Sequence, residues 1–92
     1  MKIPSKLKIG GHIYQIRLVE TKKIDGEDDD IMGFCDKGKC EIRLANNLAD
    51  SQLEETLLHE IIHAINNVMN HELIESLAHS LHQVLKDNRL LK

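Results

Sequence analysis

At Asp50 the hydrophobic period of the chain changes from two to 3.6, which commits a 92-residue sequence to a few strands followed by a pair of helices. A chain this short supports a single core, so both halves must share it. We therefore expect one domain over residues 1–92, with strands within 6–44 and helices within 51–86. The expected class is α+β: a small antiparallel sheet of three or four strands packed on a two-helix hairpin.

The strands divide into two hairpins. Leu7-Lys8-Ile9, Gly10-Gly11 and the alternating run His12 to Val19 form the first. A two-residue turn there pairs Ile9 with His12 and Leu7 with Tyr14, placing Leu7, Ile9, Tyr14, Ile16 and Leu18 on one face, towards the core. Ile31 to Cys35 and Lys39 to Leu44 form the second hairpin, turning at Lys37-Gly38. That register sets Cys35 opposite Cys40, both facing inwards as small apolar side chains rather than as a disulfide. The acidic run Asp25 to Asp30 between the hairpins reads as a solvated loop without the ligand alternation of a calcium site.

Ser51-Gln52-Leu53-Glu54 has the pattern of a capping box and predicts a helix from there to about Met69, ending in the Asn66, Asn67, Asn70 cluster. A second helix is expected over Glu72 to Lys86, with Leu73, Leu77, Leu81 and Val84 on one side and Glu72, Glu75, His79 and His82 on the other.

On the first helix, Leu57, Leu58, Ile61, Ile62, Ala64 and Ile65 occupy a broad apolar arc, and His59 and His63 fall outside it. They stand one turn apart, so both imidazoles can reach a single Zn2+ at about 2.0 to 2.1 Å. Glu60 is rotated about 100° from them, near the ion without ligating it, where a carboxylate can take a proton from a metal-bound water. Composition alone produces about 0.03 such H-E-x-x-H matches in a chain like this one. Zinc requires a third protein ligand, and the second helix offers it. If the helices fold back about a turn near Asn70, Glu75 and His79 bracket the ion, with Glu75 ranked first and His79 as the alternative.

The stretch Thr56-Leu57-Leu58-His59-Glu60-Ile61-Ile62-His63-Ala64-Ile65, followed by Glu75-Ser76-Leu77-Ala78, resembles the zincin metallopeptidases with a glutamate third ligand. It is especially similar to small phage-type and ImmA/IrrE-like metallopeptidase proteins, over about Glu54 to Leu85. The resemblance implies a minimal zincin-like domain that cleaves a peptide bond with a zinc-activated water and Glu60 as catalytic base. It also implies a sheet edge beside the cleft, within Ile31 to Leu44, that can pair with an extended peptide. Candidates for a transition-state donor are His71, His79 and Tyr14, while His12 and His82 read as exposed or satisfied polar side chains. The competing reading is a non-catalytic zinc protein with a regulatory or interaction role, whose closed site would bind both Glu75 and His79.

A net charge of −3 gives no electrostatic reason to expect nucleic acid, and no apolar run approaches the roughly 20 residues of a membrane span. The start Met1-Lys2-Ile3-Pro4-Ser5 lacks the apolar stretch of a signal peptide, so a cytoplasmic location is expected. The expected partner is a peptide or protein substrate.

Overall fold

The computed structural model describes residues 3–20, 32–66 and 68–90, and the acidic run Asp25 to Asp30 lies outside them. Among the described residues are four strands, β1 (Lys6–Ile9), β2 (His12–Val19), β3 (Gly33–Asp36) and β4 (Glu41–Ala45), followed by helices α1 (Asp50–Ile65) and α2 (His71–Asp87). Gly10 and Gly11 both take positive φ, as a tight two-residue turn requires, and Ile9 pairs with His12 and Leu7 with Tyr14 as expected.

The sheet is mixed rather than wholly antiparallel. Its order is β1-β2-β4-β3, and β2 runs parallel to β4. Each hairpin is antiparallel and announced by its own turn residues, whereas the pairing between hairpins has no turn to announce it. β4 goes to the middle because its side chains are the most apolar on the inner face: Ile42 and Leu44 are fully buried. β3 is left at the edge.

The second hairpin turns over four residues. Cys35 faces Ile42, and Asp36 faces Glu41. The expected Cys35–Cys40 pairing fails because the Asp36 carboxylate accepts a hydrogen bond from Lys39 N at 3.1 Å and Cys40 takes φ 50°, which widens the turn. Both thiols are free and half-buried against the core, as their side of the strand predicted.

Ile9, Tyr14, Ile16, Ile42, Leu44, Leu57 and Ala64 make the core between the sheet and α1, while Leu18, expected among them, is half exposed. The layering is sheet, then α1, then α2, with α2 packed chiefly on α1. α2 presents Ile74, Ala78 and His82 inwards. Its leucine side faces out: Leu73, Leu77, Leu81 and Val84 are 43–49% exposed. Small Ala78 lets α2 approach α1 closely, and His82 on that same inner side reaches Glu54.

The helix ends also differ from expectation. α1 starts after Ala49 without a side-chain cap, so the Ser51–Glu54 box does not form. Glu54 instead turns inwards to His82, at 2.8 Å, and the Ser51 hydroxyl accepts from Lys86 Nζ at 2.6 Å. α1 stops at Ile65, about one turn short of Met69, with Asn66 in an extended conformation. The side chain of Asn70 caps α2 by accepting from Leu73 N at 2.7 Å. None of the described helices is long and apolar enough to cross a membrane.

Candidate metal centre

α1 is fixed at Leu57 and Ala64 by the sheet, which turns His59 and His63 sideways into a cleft between α1, α2 and the edge strand β3. Their Nε2 atoms lie 3.1 Å apart. Two nitrogens on one tetrahedral zinc, each about 2.0 to 2.1 Å from it, stand about 3.3 Å from one another. The spacing thus suits a shared ion.

The premature end of α1 decides what faces them. Because α1 ends at Ile65, the link to α2 is short and the first residue of α2 comes back towards the pair. His71 joins the pair, with ring centroids 4.8 Å from His59 and 5.9 Å from His63. One ligand atom from each of His59, His63 and His71 falls within 4.8 Å of the others. Three nitrogen donors gathered this way are a set that could hold a zinc ion once the widest pair draws closer.

Glu75, ranked first as third ligand from the sequence, lines the same cleft, and its charge favours protonation of His59. His79, the alternative, is turned away and holds Glu55 through Nδ1 at 2.6 Å. His82 is buried on Glu54, in keeping with a satisfied polar residue. Tyr14 is buried in the core and does not line the cleft, so it is no transition-state donor here. From the sequence His71 is a candidate donor, and the structure sets it beside His59 and His63. The signal for its placement was present in Asn70, a strong cap residue that starts a helix at residue 71.

Electrostatics prepare the site for a cation. Burial holds His59 below the ordinary imidazole value, with His63 and His71 adding repulsion, and burial and His71 do the same to His63. Neutral imidazoles keep a lone pair for a metal. Glu60 is 6% exposed, and burial alone pushes its carboxyl up to about 7. It sits beneath β3 at Gly33, where a Cβ would come within 3.1 Å of Glu60 Oε2 and 2.7 Å of Thr56 Cγ2. Only glycine allows the strand to lie this close. Cys35, also on the cleft wall, is pushed up to about 11, first by burial and then by the nearby Glu60.

The cleft measures about 730 Å3 and is walled on one side by Met32 to Lys37. Of the segment expected to offer a sheet edge, β3 is the outer strand among the described residues, since β4 lies between β2 and β3. A model of the SprT-like family matches residues 20–87, about three quarters of the chain. No curated protein and no solved structure matches it.

Proposed function

The chain belongs to the SprT-like family, a metallopeptidase-like zinc family, and from that premise we propose that it hydrolyses peptide bonds with zinc held by His59, His63 and a third residue from α2. His71 is our choice for the third ligand, because it completes the three-nitrogen cluster, and Glu75 beside it is the alternative. The finer likeness to ImmA/IrrE-like proteins rests on the Glu75 and Ala78 spacing.

The observation that carries the reading is the pairing of a metal-ready imidazole cluster with a buried, proton-ready carboxylate on the same helix turn. Bound zinc would polarise the substrate carbonyl and lower the pKa of a coordinated water. Glu60 takes a proton at its carboxylate and returns it to the departing amine, which suits a group whose pKa lies near neutrality. β3, the outer strand among the described residues, supports an extended peptide by offering backbone groups along its edge. Burial of Glu60 beneath Gly33 keeps bulk water from competing for its proton. A closed structural site is less well supported, since His79 is engaged by Glu55 instead of the cluster.

The test is metal analysis with mutants. One zinc per chain is expected, with His71→Ala weakening zinc by at least about a hundredfold and Glu75→Gln by less than about tenfold. The reverse ranking would make Glu75 the third ligand. Unchanged zinc content in the His59→Ala, His63→Ala double mutant would end the metallopeptidase reading.

A further inference from the structure

Cys35 and Cys40 stand outside the imidazole cluster, and the proposed chemistry uses neither. Cys35 lies on β3, and Cys40 is the last residue of the turn that leads into β4. Both thiols are free, half-buried and packed against the same core. Cys35 pairs with Ile42, two positions beyond Cys40, so the two cysteines are diagonal neighbours on one side of the hairpin. Burial, and after it Cys35 and Cys40, raise the hydroxyl of Tyr14 above its ordinary value, in keeping with two thiols gathered over that residue. Cys40 also has φ 50°, a conformation uncommon outside glycine.

We infer that Cys35 and Cys40 are a redox pair, which a low-molecular-weight disulfide such as oxidised glutathione closes into an intramolecular disulfide, and that this bond lifts β3 from α1 and disables the cleft. The effect on cleavage rests on the proposed function, whereas the bond and the movement of β3 do not.

The exchange is balanced. The Cys40 thiolate attacks one sulfur of the oxidant, whose other half leaves as a thiolate. Cys35 then attacks the Cys40 sulfur of the mixed disulfide and expels the second half. Both departing thiolates take up the protons that the cysteines give up, so the chain loses two hydrogens and two electrons and the oxidant gains them. Cys40 acts first, because burial and then Glu60 push Cys35 up to about 11 and keep it protonated.

Geometry couples the bond to the cleft. Diagonal neighbours stand about 7 to 8 Å apart, and a disulfide wants its Cα atoms within about 6.8 Å, so the backbone must move. A turn rebuilt on Lys37-Gly38 alone sets Cys40 opposite Cys35. That gives up the Cys35–Ile42 and Asp36–Glu41 pairs and the hydrogen bond from Lys39 N to the Asp36 carboxylate. β3 cannot follow by sliding, because at Gly33 only glycine clears Thr56 and Glu60, and any side chain in its place collides. The strand therefore lifts. The lost pairs oppose the bond, which makes it the readily reduced kind.

The test is a titration of the full chain, supplied with zinc, in glutathione buffers, read by intact mass after alkylation. Reduced protein should carry label on both cysteines, and oxidised protein should carry none and be two hydrogens lighter. Amide exchange across Gly33 to Asp36 should run at least about tenfold faster in the oxidised form, with α2 unchanged. Peptide cleavage should fall by about 10- to 100-fold, and reduced glutathione should restore it. Cys40→Ser should cleave as the reduced wild type does and ignore the oxidant. A chain that keeps both thiols, or that stops at a glutathione adduct of Cys40, overturns the proposal. So does a disulfide that leaves exchange in β3 unchanged. If neither form cleaves peptide, the proposed function fails, and mass and exchange still decide the redox pair.

Discussion

Glu54 and Glu60 stand on the same helix, equally hidden from water, and yet their carboxyls are driven in opposite directions. Glu54 receives a hydrogen bond from His82 at 2.8 Å, and that contact before all others holds it below the usual carboxylate range. Glu60 has burial as the sole cause of its shift and rises to about 7. The difference teaches where the fold spends its polar partners. At one end of the α1/α2 contact a carboxylate is matched and serves structure. At the other no hydrogen bond from the described residues matches it, a destabilising arrangement that persists where proton transfer needs it.

The sharpest way to break the contrast is to neutralise the unmatched member. Glu60→Gln keeps the shape and all three imidazoles, so zinc content should be unchanged while kcat/KM on a peptide falls by about 10² to 10⁴. Retained cleavage would remove Glu60 as the base. Breaking the matched member should do the opposite. His82→Ala removes the leading hydrogen bond to a buried carboxylate, and we expect a loss of about 1 to 3 kcal/mol in urea denaturation with zinc affinity nearly unchanged. If zinc affinity fell in step with stability, the two ends of the helix pair would not be separable.

Titration sharpens the same comparison. The Glu60 pKa lies above its ordinary 4.5 in the folded chain, so folding favours the protonated form, and metal-free protein should lose stability as pH rises from 4.5 through about 7. Glu60→Gln lacks that penalty. In chelator, its stability advantage over wild type should therefore grow across that window and level off above it, at about 3 kcal/mol. For Glu54 the sign reverses: its pKa is depressed, so its contribution is present above 4.5 and disappears as pH falls below that value through the folded pKa. An advantage for Glu60→Gln that is constant with pH would mean that the carboxyl is solvated.

The strand–helix division, the first hairpin register and the H-E-x-x-H face were legible in the sequence because each depends on local period or local turn chemistry. His59 and His63 converge as their spacing required. What stayed hidden depended on contacts between elements. The Ser51–Glu54 pattern resembled a cap, but Glu54 found a stronger partner in His82, and α1 ended a turn early. That one shift moved His71 into the cluster and sent His79 to Glu55. The exposure of the α2 leucine stripe was hidden for a related reason: apolar periodicity identifies a face without saying what covers it.

Gly33 is the clearest case of a residue that local reading could not find, and it supplies the smallest of the expected effects. In sequence it is one glycine before Phe34, with no motif around it. In the fold it is the point where β3 rests on Thr56 and Glu60, and an added methyl would stand 2.7 Å from Thr56 Cγ2. Thr56 is held by its hydroxyl donating to Gln52 O at 2.7 Å, so it gives way reluctantly. Gly33→Ala should therefore push the edge strand off α1 at a cost of about 1 to 3 kcal/mol. Because the strand is also the lid over Glu60, water should reach the carboxyl and lower its pKa towards 4.5. The Glu60→Gln stability advantage would then shrink in the Gly33→Ala background, a coupling that a double-mutant cycle reads directly. Strict additivity would show that β3 does not control the environment of Glu60, and the contrast with Glu54 would then need another cause than burial beneath that strand.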